Sequence, residues 1–490
     1  MTNSQKIFTL IICLFVTGYA KSQTKLLTLE EAIKVAQKES PDYQTVLNRN
    51  QSSYWRYRNF QARFLPQLSL NATLPEYSNS IRRITNDIGQ DIFVNTNQAR
   101  IDGRLSLTQN LGLTGGAFSI SSQLERISVF GNNESIGYSV VPFSVNYFQN
   151  SIFFNPFKWE KKIEPLVYEE ARREFIENME QISLTTCRRY FGLLKAQIQL
   201  KISQNNLSNQ DTLFQIAKGR FKMGKIAEND LLQMELALLN SRNSVTTNKI
   251  ALKRTSQNLA RYLNLSTEDI ELSIPKDLDL FTVTSEKALE EAKSNRKSII
   301  EFRRRRLEAE RQVADVKGSN RLNVDLTANF GISQQGPVFN DLFQDYNQQQ
   351  NISVRLSIPI IDWGVSKSRR KLVEANLDLE NTNIEQDRQA FEQEIYLHTL
   401  NWDNQRGFLK TAKKAQEISI KRYSITKKRY ILGKITITDL NLAQQEQDRS
   451  LVQYLNSLEQ FWVDYYTLRR LTLYDFEQNK KIETEDILYD

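Results

Sequence analysis

Arg220-Phe221-Lys222-Met223-Gly224-Lys225-Ile226 returns in the same chain as Arg429-Tyr430-Ile431-Leu432-Gly433-Lys434-Ile435, a shift of 209 residues (220 to 429). Asp230-Leu231 returns at the same distance as Asp439-Leu440. The shift also lays Val145-Asn146-Tyr147, the end of one alternating apolar run, on Val354-Arg355-Leu356 in another. A second shift of 256 (28 to 284) carries Thr28, Ala32, Ala36, Leu70 and Ala72 onto Thr284, Ala288, Ala292, Leu326 and Ala328. Two copies of one structural unit follow from this spacing. The two shifts differ by about 47, so the first copy holds that many extra residues between Ala72 and Val145.

Outward from the repeated glycines the chain is helical. Asn155 to Arg220 and Gly364 to Arg429 each span 65 residues, roughly 100 Å of helix at 1.5 Å per residue. From Leu166 to Ile274 and from Ile360 onward there is no proline, and Leu, Ala, Glu, Gln, Lys and Arg dominate. Phe175, Met179, Ile182, Tyr190, Leu194 and Ile198 recur at three- and four-residue steps, as do Phe391, Ile395 and Trp402. The apolar stripe is narrow and the rest polar, which suits long coiled-coil-like helices wet on one side. Gly224 and Gly433 read as turns between a descending and an ascending helix. The return helices are Ile226 to Leu265, broken at Pro275 and resumed from Ser285 to Lys317, and Ile435 to Tyr474. The second copy's outer piece comes from the N-terminus, Leu29 to Arg63, capped by Thr28 with Glu31 and split or kinked at Pro41.

Between the helices the period changes to two. Apolar residues alternate at Leu68, Leu70, Ala72 and Leu74; at Val141, Phe143, Val145 and Tyr147; at Val324, Leu326, Ala328 and Phe330; and at Ile352, Val354, Leu356 and Ile358. Leu105 with Leu107 and Phe118 with Ile120 continue the pattern, so the first copy holds four strands and the second two. Gly115-Gly116 reads as the turn between the added pair and the rest. Pro75–Ala99 and Ser333–Gln350 read as exposed loops. Phe154 and Trp363 at the strand-to-helix junctions favour strands facing lipid, where an aromatic belt sits.

The N-terminus has Lys6, an apolar stretch Ile7–Val16 and small or polar residues to Ser22, the layout of a secretory signal peptide over 1–22. The formal charge is +8, from 65 Lys and Arg against 57 Asp and Glu, and loses Lys6 and Lys21 on cleavage. An exported chain does not meet the genome, so the basic balance is not a nucleic-acid signal. Arg303–Arg306, the one dense basic run, reads as a solvated helix face. Beyond the signal segment only Cys187 remains, which excludes an internal disulfide. His398 is the sole histidine, and no dinucleotide, phosphate-loop, HExxH or GxSxG pattern occurs. The residues point to no enzyme, no cofactor and no metal.

Taken together, the order of elements resembles the TolC-like outer-membrane efflux protein family over about Leu26 to Tyr474. The resemblance rests on the duplicated helix–strand–helix plan, on Leu65-Pro66-Gln67-Leu68 opening the first strand and Leu356-Ser357-Ile358-Pro359 closing the last, and on the two Arg-aromatic-x-x-Gly tips. Phe154-Asn155-Pro156-Phe157-Lys158-Trp159 and the Gly115-Gly116 hairpin are similar to versions in Bacteroidetes-type bacteria. It implies an α+β membrane protein: a homotrimer with a transmembrane β-barrel in outer-membrane lipid, continuous with a long periplasmic α-helical barrel. It implies a passive exit duct of a tripartite efflux or type I secretion system. The tips, Arg220, Gly224, Lys225 and Asp230 with Arg429, Gly433, Lys434 and Asp439, would dock to a periplasmic adaptor and inner-membrane transporter. The expected repeats are 23–281, with strands about 65–150, and 282–490, with strands about 321–361. The alternative is the periplasmic adaptor of such a pump, which has one hairpin and an anchor where this chain has two hairpins. The family often places acidic rings near its tips, whereas here Lys218, Arg220, Lys222, Lys225, Lys427, Lys428, Arg429 and Lys434 make them basic.

Overall fold

Two helices of 67 residues dominate the chain, α3 (Pro156–Lys222) and α7 (Val365–Ile431), and their bounds differ by 209 at both ends. The computed structural model describes residues 26–483 except 86, 132–133, 267–268, 276–280 and 321; the signal-peptide reading at 1–22 lies outside the described residues. The helices that return from the tips are α4 (Glu228–Tyr262) and α8 (Ile437–Thr472), whose starts also differ by 209. The second shift is equally visible. It carries α1 (Leu29–Glu39) onto α5 (Ser285–Asn295) at both ends, and α2 (Pro41–Ala62) onto α6 (Lys297–Ser319) at the start. Thr28 caps α1 as expected: its hydroxyl accepts from the Glu31 amide while Glu31 reaches back to the Thr28 amide.

The described chain divides into two compact units, each assembled from segments far apart in sequence. The first takes residues up to Asn48, Phe175–Asn295 and Glu394 onward. Its core joins Ala32 and Ala36 of α1, Ala288 and Ala292 of α5, and a layer of Tyr190, Phe191, Trp402 and Phe461 from the long helices. The alanines are fully buried because helices approach closely only where side chains are short. Short parallel strands β1 (Leu26–Leu27) and β6 (Glu271–Leu272) are tied to α3 by the Tyr190 hydroxyl, which donates to the carbonyls of Leu27 and Ser273. Arg469 is held between the buried carboxylates of Glu180 and Asp475, the latter in the small hairpin β9–β10 (Tyr474–Asp475, Lys480–Lys481). Burial without partners would cost these carboxylates several kcal/mol, so the arginine is their required counter-charge.

The second unit holds Arg49–Glu174 and Arg296–Gln393, with the main sheet. Six antiparallel strands lie in the order β2-β3-β4-β5-β7-β8: β2 (Gln67–Thr85), β3 (Asp91–Asn110), β4 (Ala117–Val129), β5 (Ser135–Gln149), β7 (Asn323–Gly336) and β8 (Asn347–Ser357). Three expectations change here. Pro75–Ala99 is mostly not a loop: β2 and β3 pair from Thr85 with Asp91 back to Glu76 with Arg100, and resume at Thr73 with Asp102. Proline is tolerated because it sits at a register shift between Thr73 and Glu76, where its nitrogen is not called on as a donor to β3. Ser333–Gln350 is strand at both ends, with a short 3₁₀ turn at Phe339–Phe343 between them. Gly115-Gly116 joins β3 to β4, inside the added pair rather than at its boundary.

The helices of this unit are laced by charge. Arg56 of α2 and Arg63 just past its end reach Glu164 and Glu160 of α3, and Tyr57 stacks on Tyr168 with centroids 4.7 Å apart. Arg304 grips Glu170 at 2.6 Å, and Arg305 reaches Glu380 and Asp387 of α7 at 2.6 and 2.7 Å. The Arg303–Arg306 run is therefore not simply a solvated face: two of its members bridge helices. Glu170 holds the Arg304 guanidinium more firmly protonated than usual, its hydrogen bonds outweighing the cost of partial burial.

Candidate docking tips and a two-faced sheet

The two tips are built alike. α3 ends in a Schellman motif: Gly224 has φ +66°, its amide donates to the Phe221 carbonyl at 2.8 Å, and the Lys225 amide donates to the Arg220 carbonyl at 2.9 Å. At the end of α7, Gly433 has φ +73°, with bonds from Gly433 to Tyr430 at 2.9 Å and from Lys434 to Arg429 at 3.0 Å. A Cβ on either glycine would meet nothing within 4 Å, so the demand for glycine is torsional rather than steric. This accounts for the repeated spacing: Arg220 and Arg429 supply the carbonyl that closes each turn, and Lys225 and Lys434 the amide.

The tips then diverge. α8 begins with a full capping box, the Thr436 hydroxyl accepting from the Asp439 amide at 3.2 Å and Asp439 accepting from the Thr436 amide at 3.1 Å. The Thr436 hydroxyl also donates to the Asp439 carboxylate at 2.7 Å, and this bond, followed by the one from the Thr436 amide, holds the Asp439 carboxyl below its ordinary range. At the equivalent place α4 has Ala227, which has no side-chain cap. Tyr430 is 6% exposed and its counterpart Phe221 is 38% exposed. Tyr430 packs with Leu213, Ala217, Met234 and Leu440, so the two hairpins share one small core. Burial pushes its hydroxyl up, opposed by Arg220, whose guanidinium carbon lies 5.4 Å from the ring centroid. Arg220 and Asp439 are thus engaged within the tips. Gly224, Lys225, Arg429, Gly433 and Lys434 are exposed, beside the exposed apolar residues Met223, Ile431 and Leu432. Asp230 is half-buried in the first turn of α4.

Above the tips, polar side chains link the first hairpin to the second. The Asn206 amide donates to Asp448 at 2.7 Å, Lys427 to Asn209 at 3.0 Å, and Lys195 pairs with Glu459 at 2.6 Å. Sequence reading named Lys427 only as one of the basic tip residues and Tyr430 only as a member of the repeat, and it named none of their partners, because a helical residue carries no local sign of the chain it will face. The buried tyrosine did leave one trace, as the place where the two tip sequences differ in aromatic type.

The sheet is two-faced across its full width. Leu68, Leu107, Ile120, Val145 and Phe330 lie opposite one another in succession from β2 to β7, one apolar row. One residue along, Ser69, Ser106, Ser121, Ser144, Gly331 and Gln349 form a polar row through all six strands. Gln67, Thr108, Ser119, Asn146, Asn329 and Asn351 form another. On the polar face Ser69 bonds Ser106, Ser121 bonds Ser144, Asn329 donates to Asn146 and Arg104 to Gln123. The apolar face is left open, with Leu70, Leu74, Ile352 and Val354 all exposed. Of the junction aromatics, Trp363 is fully open and Phe154 half-buried. No described helix is long and apolar enough to cross a membrane. Among the described residues no group of histidine, cysteine, aspartate and glutamate is placed to hold a metal ion.

Residues 288–472 match the outer membrane efflux protein family. No curated protein matches the chain in sequence. Among solved structures, the Campylobacter jejuni CmeC outer membrane channel superposes with a TM-score of 0.66 at 14% identity, covering 93% of this chain and 87% of that one. The Vibrio cholerae outer membrane protein VceC gives 0.63 at 15% identity, covering 93% and 97%. The open state of the Neisseria gonorrhoeae MtrE outer membrane channel gives 0.59 at 12%, covering 93% and 91%. In fold over nine-tenths of its length, and in sequence over 288–472, the chain resembles the TolC-like outer-membrane efflux proteins, the family its repeated tips point to.

Proposed function

We propose that this protein is the outer-membrane channel of an efflux or type I secretion system. It works as a passive duct assembled from three copies related by an internally duplicated plan. The observation that carries the reading is the sheet. Among the described residues its apolar face is left exposed, its opposite face carries hydroxyl, amide and charged side chains such as Arg104, Asp102 and Arg355, and both edge strands are open. In water such a face is a liability; in lipid it is the required outer surface, and open edges force closure into a barrel. The polar rows then face a water-filled lumen. The long helices, with narrow apolar stripes, form a periplasmic part of the duct, and the basic tips meet an adaptor and an inner-membrane transporter. The adaptor alternative gains no support from a fold matched along its length to outer-membrane channels.

Conduction needs no bond chemistry from the protein. Selectivity follows from lumen width and the hydrogen-bonding groups that line it. The test is fractionation and labelling. The protein is expected in the outer membrane as a detergent-stable trimer. A cysteine at Gln344, in a Cys187→Ser background, should react with an impermeant thiol reagent on intact cells, and one at Thr436 should not. Recovery as a soluble monomer, or the reverse labelling, overturns the reading.

A further inference from the structure

We propose that each copy contributes all six strands, so that three copies close a barrel of eighteen, with β8 of one copy paired to β2 of the next in a register dictated by the chain's own repeat. The inference rests on the channel reading above and adds the strand number, the interface and its pairing.

The hairpin β3–β4 is a full member of the sheet. β3 pairs with β2 from Asp91 to Thr108 and with β4 from Gln98 to Asn110, and both polar rows pass through it without interruption. Its turn is also fixed to the helical end. The Asn155 side chain caps α3 by accepting from the Lys158 amide, and donates to the carbonyls of Gly112 and Leu113 at 3.0 and 2.9 Å. Gly115 (φ +85°) is required there, since a Cβ would lie 2.9 Å from the Asn155 side chain. A loosely attached extracellular hairpin would show neither feature.

The edges point to a second copy as occupant. Six antiparallel strands leave β2 and β8 running in opposite directions, so β8 of one copy meets β2 of another antiparallel. The repeat supplies the register. A shift of 209 takes β5 to β8, as it takes α3 to α7; a shift of 256 takes β7 back to β2, as it takes α5 back to α1. The β5–β7 junction inside the chain is therefore the template for β8–β2 between chains. Tyr147 opposite Ala328, Val145 opposite Phe330 and Asn146 opposite Asn329 become Leu356 opposite Ala72, Val354 opposite Leu74 and Arg355 opposite Thr73. The result is consistent with both faces: apolar meets apolar, and Arg355 with Thr73 falls on the polar face that Arg355 already shares with Asp325.

With strands about 4.8 Å apart and tilted roughly 40°, eighteen strands give a barrel about 36 Å across at the backbone, against about 24 Å for twelve. The added hairpin widens the exit, so wider solutes pass the barrel.

The experiment is disulfide trapping in outer membranes, with Cys187→Ser removing the buried native thiol. Ala72→Cys with Leu356→Cys, and Leu74→Cys with Val354→Cys, should oxidise to covalent dimers and trimers, because directly opposed residues of paired strands lie within disulfide reach. Ala72→Cys with Ile352→Cys, four residues out of register, should not. Electron microscopy of the unmodified trimer should count eighteen strands and reads out independently of variant folding. Twelve strands in an intact trimer, or trapping only in the control pair, overturns this proposal and leaves the channel reading standing. Absence of any trimer overturns the channel reading itself.

Discussion

Arg220 of the first tip lies over the ring of Tyr430 of the second, 5.4 Å from its centroid. The counterparts Arg429 and Phe221 are both exposed. Two tips with matching sequence are therefore not interchangeable. One supplies the cation and the other the buried ring, and the contact ties the two hairpins of one chain together. The repeated arginines and glycines make the turns, while the aromatic difference makes the link.

The buried ring gives the first prediction. Tyr430→Ala removes an aromatic from the core of Leu213, Ala217, Met234 and Leu440, a loss of about 3–5 kcal/mol in local stability. Phe221→Ala should cost under about 1 kcal/mol, and Arg220→Ala about 0.5–1 kcal/mol through the lost cation–π contact. Amide hydrogen exchange over 213–234 and 423–440 measures this. Equal protection in Tyr430→Ala and Phe221→Ala would contradict the asymmetry.

The cap gives the second. Thr436→Ala should destabilise the start of α8 by about 1 kcal/mol, and Ala227→Thr should stabilise α4 where no side-chain cap exists. Asp439 adds a pH dependence. Its folded pKa lies below its unfolded value, so its contribution is present above the unfolded value of 3.8 and is lost as pH falls through the folded one. Exchange rates at 437–440 should rise below pH 4 in the native protein and show no such step in Asp439→Asn.

Asp448, facing Asn206, carries the opposite sign. Partial burial raises its pKa, outweighing the Asn206 hydrogen bond, so stability is lost as pH rises through the folded value. Asp448→Asn keeps an acceptor for the Asn206 amide without the charge. It should melt higher than the native protein at pH 7.5, with the gain shrinking toward pH 4. Asp448→Ala should show no such gain, because Asn206 loses its partner.

The helix bounds were legible in part from spacings that recur in the sequence. The shifts of 209 and 256, read from a few identical residues, fall on helix bounds at both ends of α3 with α7 and of α1 with α5. The Thr28–Glu31 cap was legible because two residue types at one spacing have a single geometric use. Other features depend on partners distant in sequence. Arg304 and Arg305 look solvated until Glu170, Glu380 and Asp387 are brought beside them. Pro75 reads as a strand end until its strand proves to be an edge with a register shift. The break between α5 and α6 at Arg296 has no proline or glycine to announce it. The 256 shift does announce it, since it lays Ser40-Pro41 on Arg296-Lys297.

The tips as docking surfaces give the last prediction. Between 218 and 230 and between 427 and 439 stand eight lysines and arginines against Glu228, Asp230 and Asp439. Some of that excess serves the helices, because cations stabilise the last turn and acids the first. Arg220 is held on Tyr430 and Asp439 in its cap, so neither is free to recruit a partner. Arg429, Lys225 and Lys434 are exposed, beside Met223 and Leu432. An acidic, partly apolar adaptor surface would fit that mixture. Arg429→Glu with Lys434→Glu should abolish export in a complemented knockout while trimer abundance stays unchanged, since the Gly433 turn uses only backbone atoms of these two residues. Gly433→Val tests the other half: with φ +73° and open space around it, valine pays about 1–2 kcal/mol of torsional strain and misdirects the turn. Normal export in the charge-reversed variant would mean that the basic residues do not dock. Loss of the trimer in that variant would mean that they hold the assembly instead.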